Sequence, residues 1–589
     1  MKLSVFRQDP RRASTILMVL ALTACTFLIL GGILSWAGTN TNLSGRNNEY
    51  FKTVAAAEAA TEKVLTAIAK DYQTAGESLV FNNLAAYRAK VPVVTDDPLF
   101  GTYEFSNGLG QQNQTHVEFL PPSEYRVLSA QYKGLRGYAS KFRLISNSRD
   151  TTSRFNITGA VRQDIEVATI PLFQFAIFYN LDLEINPGPV MTVSGPVHSN
   201  KDMFLQPLAT LTFQDDVTAA GNINNNKKPG DPTSRTPGTI VFNDEHDSGV
   251  STLNLPIGLD NSPANVRKVI EPPAVGEDPN SALGKQRYHN KADLIVTVTG
   301  NGNANVTVSS GISNNKGTTV PSQQWDLAQN SAGGFINQVA FYNKRENKTI
   351  RALQIDVGKM AAWSAKSTNM LKPTWSAGDV TIVYVDDKRA VTSSEEPAVR
   401  LVNGATLPTK GLTVATPVPL YVQGHYNAAG TAVGSHNTAT TKPASLIGDS
   451  INILSTAWKD ANATLGLGSR VAASTTINAA VLSGIVETTS GQYSGGVENY
   501  PRFLEDWNNK TLTYNGSMVV MFPSKYATGL WQGTGSTIGI YNPPIRDWAF
   551  DLNFRDPAKL PPGTPAVRAL IRGTWHMIKP NSTNVASAF

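Results

Sequence analysis

The chain's 589 residues exceed what one core usually organises, so about two to four domains are expected. Only 16% of residues are charged, against 47 glycines and 34 prolines, a balance that points to a β-rich exterior and away from a helical enzyme or a disordered tail. A net charge of +6 with no Lys/Arg cluster interleaved with aromatics excludes nucleic acid as an expected partner, and a single cysteine excludes an intrachain disulfide or a thiolate zinc cluster.

Residues 1–14 form a basic start, with Lys2, Arg7, Arg11 and Arg12. Thr15–Trp36 comes next as an uncharged apolar run, about 22 residues long and able to span a hydrocarbon core of roughly 30 Å as a helix. The positive-inside bias keeps the N-terminus cytoplasmic and exports the chain beyond Trp36, which itself sits where an interfacial aromatic belongs. No second run of spanning length occurs, so the expectation is a single pass through a bacterial inner membrane with the rest in the periplasm or at the cell surface. Leu22-Thr-Ala-Cys25 has the form of a lipobox, but a lipidated protein turns polar after the cysteine, whereas Phe27–Leu34 stays apolar. The run also exceeds the h-region of about 7–15 residues in a cleaved signal.

Residues 37–180 are expected to form a helical stalk and an α+β region. Tyr50–Tyr72 is strongly helix-forming, and Phe51, Val54, Ala55, Leu65, Ile68 and Tyr72 fall mostly on one face. Span and stalk therefore read as one long helix, half in lipid and half packed on a globular domain. With its basic residues, apolar span and Ala-Ala-Glu-Ala-Ala pattern at Ala56–Ala60, this stretch resembles the PilX-type, pilin-like proteins of type IV pilus systems. The resemblance implies other pilin-like or envelope proteins as partners. The span opens Arg12-Ala-Ser-Thr-Ile-Leu-Met-Val, with neither the glycine before a cleavage point nor the glutamate at the fifth mature position of classical pilins, so prepilin-peptidase processing is not carried over. Tyr125–Ala130, Lys141–Ser146 and Arg162–Val167 read as antiparallel strands, with Pro171–Tyr179 closing the region as an aromatic strand.

From residue 181 to 224 the texture becomes a ladder of very short strands with Gly, Asn, Asp or Pro corners, as in a stacked β-solenoid coil. Residues 411–589 repeat it at Val418–Asn427, Ala444–Leu454 and Thr476–Val486, with no strict period linking the two segments. They read as one discontinuous solenoid, with two β-sandwiches as the alternative. Residues 225–410 are expected to be an αβ insertion. It opens on a surface loop, Asn224–Gly238, continues with a hairpin of Asp293–Thr299 and Asn305–Ser309, and then has a strand running into a helix over Ala340–Trp363 and a buried strand at Val380–Val385.

Near the C-terminus, within Tyr493–Trp507, a short amphipathic helix is expected after the Gly495-Gly496 pair, at Glu498–Trp507, carrying Glu498, Arg502, Glu505 and Asp506, with Val497, Phe503, Leu504 and Trp507 able to dock it. Together with Asp293-Leu-Ile, Phe341–Glu346 and Pro419–Asn427, it resembles a family of large, mostly uncharacterised bacterial envelope proteins with a PilX-like start; this implies architecture and location, not a reaction. Glu498 and Glu505, two turns apart on such a helix, are the sharpest general acid/base candidates. Arg502 lies at salt-bridge spacing from both, which favours a solvated ion-pair helix.

No catalytic, cofactor-binding or metal-binding residue is assigned. His116, His198, His246, His289, His425, His436 and His576 show no HxH or HExxH grouping, and Asp215-Asp216, Asp386-Asp387 and Asp244–Asp247 lack a calcium-loop frame. The expected fold is mainly β, with a long N-terminal transmembrane and amphipathic helix, a pilin-like antiparallel α+β region, and a β-solenoid domain with an αβ insertion. The expected role is non-enzymatic: an exported pilus-like structural or adhesion component facing envelope proteins, polysaccharide or a surface ligand. The alternative is a β-solenoid carbohydrate-active enzyme, a polysaccharide lyase or hydrolase.

Overall fold

The computed structural model describes residues 10–133, 135–298, 334–364 and 380–582. Helix α1, Pro10–Ala75, is continuous through both the apolar run and the alanine-rich stretch. Its first half leaves Ile16, Leu20, Phe27, Ile33 and Trp36 exposed. Its second half buries Val54, Ala57, Val64, Ile68 and Tyr72, a stripe at three- and four-residue spacing. Phe51 and Ala55, expected on this face, are exposed because they fall off the edge of that stripe. Lys2 and Arg7 lie outside the described residues.

The stripe packs on an antiparallel sheet of β1 (Tyr103–Ser106), β2 (His116–Val127), β3 (Arg136–Asp150) and β4 (Thr158–Pro171), through Phe142, Leu144, Ile165 and Val167. At Gly159 a Cβ would lie 2.5 Å from the Val54 nitrogen, so only glycine lets β4 come this close to α1.

The expected aromatic closing strand is split. Leu172–Gln174 is a 3₁₀ turn, and β5, Ile177–Tyr179, opens the next unit instead of closing the first. From there the chain winds as a coil. Strands β6 (Leu183–Ile185), β7 (Met191–Val193), β8 (Val197–Ser199), β9 (Met203–Leu205), β10 (Thr210–Phe213), β11 (Val217–Ala219), β12 (Ile223–Asn224), β13 (Thr239–Phe242) and β14 (His246–Ser248) build three parallel faces. Ile177, Val197 and Val217 stack in register on one face, Leu183, Met203 and Ile223 on the second, and Met191, Leu211 and Ile240 on the third.

The second unit starts at the far end and winds back. Strands β15 (Leu294–Val298), β18 (Ile382–Asp387), β20 (Leu412–Ala415), β22 (Ala444–Gly448), β24 (Thr475–Ile485) and β26 (Thr511–Pro523) make one parallel face. The other face holds β16 (Ile336–Asn343), β17 (Lys348–Asp356), β19 (Glu395–Val402), β21 (Leu420–Gln423), β23 (Ile451–Leu454) and β25 (Arg502–Phe503). Strand β26 then pairs in parallel with β5, Met518 opposite Ile177, so the first and last coils meet and the two units share one continuous parallel ladder. Strand β27 (Ile545–Phe550) pairs beside β26, and β28 (Ala566–Met577) returns to the first sheet, antiparallel to β4.

Two sequence expectations need correction. Strands β15, β17, β18 and β19 belong to the stacked faces, β15 pairing in parallel with β18, β18 with β20, and β17 with β19, so these strands do not stand outside the stack as part of an αβ insertion. Leu294–Val298 pairs in parallel with β18; Asn305–Ser309, the other half of the expected hairpin, lies outside the described residues. The α+β sheet does not end at residue 180, since β28 supplies its last strand.

Candidate functional site

Where the two units meet, charged side chains are buried. The expected helix at Glu498–Trp507 is absent: Val497–Asn499 is a single 3₁₀ turn, and Arg502–Phe503 is strand β25, parallel to β23. Pro501 explains this, since a proline lacks the N–H that a helix interior needs. Gly496, at φ +64°, turns the chain where a Cβ would meet the Glu498 carboxylate at 2.4 Å.

Glu498 and Glu505 are therefore neither solvated nor paired with Arg502. The Glu498 Oε1 accepts from the Asn186 backbone N–H at 2.8 Å, and its Oε2 is buried without a donor. Burial pushes its carboxyl up to about 7 against the charge of Arg546. Glu505 accepts from the Ser455 N–H at 2.6 Å and the Ser455 hydroxyl at 2.7 Å, and burial again pushes it to about 7. The two carboxyl groups hold different coils and share no partner, so the structure does not bring them together as an acid/base pair. Asp506 stands apart again, accepting from Asn542 at 2.7 Å.

Arg502 instead pairs with Glu346, in the turn between β16 and β17, and donates to the Ala527 carbonyl at 3.0 Å. The second Glu346 oxygen accepts from the Gly529 N–H at 2.6 Å. Arg345 donates through Nε to the Gly529 carbonyl at 3.1 Å and through NH1 to Asn499 at 3.3 Å. Burial and then the charge of Arg502 pull the Arg345 guanidinium down to about 9. Behind them, Glu396 is pushed up to about 7 by burial and then by the Glu346 charge, with Lys348 at 3.4 Å. On the first unit, Glu184 accepts from Thr488 at 2.9 Å and Ser494 at 3.3 Å, and burial raises its carboxyl.

Of these groups Glu184, Arg345 and Arg502 line a cleft, with Tyr179 and Asp182 of the first unit and Tyr500 of the second. It offers about 20 Å³ to water, room for one ordered water and none for a sugar ring. Sequence reasoning missed Arg345, Glu346, Glu396 and Glu184. Arg345-Glu346 did lie in the Phe341–Glu346 stretch that carries the envelope-protein resemblance, but nothing in its spacing points to Arg502.

The histidines are dispersed. His198 is buried between Thr218 at 2.8 Å and Asn200 at 3.0 Å, and burial takes it down to about 4, so it is neutral. His436 bridges Asn515 at 2.6 Å and Asp547 at 2.9 Å. Among the described residues no three His, Cys, Asp or Glu side chains cluster as a metal site.

No protein-family model matches the chain, and no curated protein matches it. Among solved structures, the crystal structure of the competence-associated pilin ComZ from Thermus thermophilus is similar over 90% of this chain and 97% of that one, at 11% identity and a TM-score of 0.28. A TM-score that low carries no argument about fold or role. The class rests on the chain itself: a mainly β protein of parallel-strand sheets led by a long, apolar N-terminal helix.

Proposed function

We propose that the chain is a membrane-anchored, exported structural protein, a pilin-like component whose helix holds a large parallel-stranded head in the cell envelope. Helix α1 carries this reading: its apolar half is exposed while the same helix, unbroken, packs its second half on an antiparallel sheet. A soluble protein would have to hide that surface. Strand β28 supports it further by stitching the end of the stacked head back to α1's own sheet, so a pull on the helix reaches the whole body. Other envelope or pilin-like proteins, polysaccharide, or a surface ligand are the partners such a head would meet. The role is positional, not catalytic: the buried carboxyl groups hold backbone and hydroxyl donors, and the cleft beside them admits only a water-sized guest. A polysaccharide lyase or hydrolase is the competing reading and would require substrate turnover.

The anchor is tested with Cys25→Ser. Because the apolar face continues past Cys25, the variant is expected to stay in the membrane pellet through high salt and leave it only with detergent. Release of the variant into the soluble fraction would show that a lipid on Cys25, and not the span, holds the protein.

A further inference from the structure

The surroundings of His436 suit a charged ring. It stands on loop 428–442, which leaves β21 and crosses β24, β26 and β27 before β22 begins. Both ring nitrogens face acceptors: Nδ1 lies 2.6 Å from the Asn515 Oδ1 and Nε2 lies 2.9 Å from the Asp547 Oδ1. The Asn515 amide is not free to turn a donor to the ring. Its Nδ2 already donates to the Ser435 carbonyl at 2.8 Å and to the Asn478 Oδ1 at 2.7 Å. Asn478 is fixed in turn, its Nδ2 donating to the Asn427 carbonyl at 2.9 Å. A neutral imidazole carries one N–H and turns a lone pair on the second oxygen, whereas the imidazolium donates to both. Among the described residues Asp547 is the one charged group acting on the ring. Asp551 accepts from Thr438 and from the Asn553 N–H, Lys559 reaches Asn553, and Arg546 donates to the Glu498 carbonyl. His425, near the start of the loop, accepts the Thr476 N–H through Nδ1. Burial favours the neutral form of His436, yet its two acceptors outweigh that and hold its ionisation above the ordinary 6.5.

We propose that His436 is a proton-operated latch on loop 428–442: the imidazolium ties the loop to β26 and β27 at once, and the neutral ring lets go of one partner and loosens it. The neighbouring ties are single hydrogen bonds, the Gly434 N–H to the Thr476 hydroxyl and the Thr438 hydroxyl to Asp551, both at 2.8 Å. The His436–Asp547 pair is the loop's charged tie, so its state sets how often the loop lifts. Because the folded value is raised, the tie is complete below pH 6.5 and is lost as pH rises through the folded value. The loop is tight in acid and loose in alkali. Ala432, 2% exposed, is buried on the same loop and becomes reachable when it lifts.

The test uses the full chain in detergent, with Ala432→Cys as the single thiol in a Cys25→Ser background. Its rate of reaction with a maleimide is compared with and without His436→Gln, from roughly pH 5.5 to roughly pH 8.5, the range a histidine titrates over. Comparing the two at each pH cancels the thiol's own ionisation. The His436→Gln chain is expected to react several-fold faster in acid, and the ratio should fall several-fold towards alkaline pH. A second readout is the titration of the histidine-labelled chain by NMR, with the His436 signal identified by its loss in His436→Gln. Its midpoint is expected above 6.5, and Asp547→Asn should lower it. Should Ala432→Cys fail to fold, this titration decides. A rate ratio that does not change with pH, a midpoint at or below 6.5, or a midpoint that Asp547→Asn leaves in place would overturn the proposal.

Discussion

Glu505 shows how burial decides a residue's role. Read from the sequence, it sits on a solvated helix beside Arg502; in the fold it is 1% exposed and bonds Ser455. Its folded-state value of about 7 lies above the ordinary 4.5, so the folded chain holds the proton more tightly than the unfolded one. The penalty on the charged form is absent below pH 4.5 and complete above pH 7, so stability falls as pH rises through that window. The fall is up to roughly 3 kcal/mol per group, and Glu498 adds to it in the same window. Glu505→Gln removes the charge while its amide can still accept from the Ser455 N–H and donate to the Ser455 hydroxyl. The variant is expected to melt higher than the parent at pH 8 and to show a shallower decline between pH 4.5 and 7. A lower melting temperature at pH 8 would mean that the ionised carboxylate is what these donors require.

Among elements, α1 was legible because composition and apolar spacing both act within a few turns. The coil corners were partly legible too. Asn180 and Asn200 recur at the turn period of the first unit and bond each other at 2.9 Å, and the Asn186 side chain accepts from the Gln206 N–H at 2.8 Å. A search for that spacing would have revealed the repeat. The helix expected at Glu498–Trp507 failed on Pro501, whose local rule outweighs the charge pattern. The loop Asn224–Gly238, expected at the surface from its turn residues, is pinned. Asp231 is buried and pairs with Arg235 at 3.2 Å, Arg235 lies over the Tyr493 ring at 4.2 Å, and Lys228 reaches Asp182. Limited proteolysis of the folded protein should therefore spare this loop, and Asp231→Ala, which frees Arg235 and Thr233, should make it the first site cut. Equal cleavage rates in parent and variant would show that these contacts do not hold the loop.

At the scale of the molecule, the chain starts its stack in the middle. The first unit grows outward from β5, and the second begins at the far end and returns until β26 meets β5. No local pattern records that meeting, because it depends on pairings such as Asn180 with the Met521 carbonyl, 341 residues apart. The return of β28 to β4 is of the same kind. Both place the stacked head on the end of a single helix, and the account stands on where that helix puts it. The direct measurement uses the lack of any other cysteine: Asn225→Cys in a Cys25→Ser background sets one thiol on an exposed corner of the head. A membrane-impermeant maleimide added to intact spheroplasts is expected to label this thiol fully, with the labelled protein in the membrane pellet. Labelling only after the membrane is opened would place the head in the cytoplasm and contradict the account.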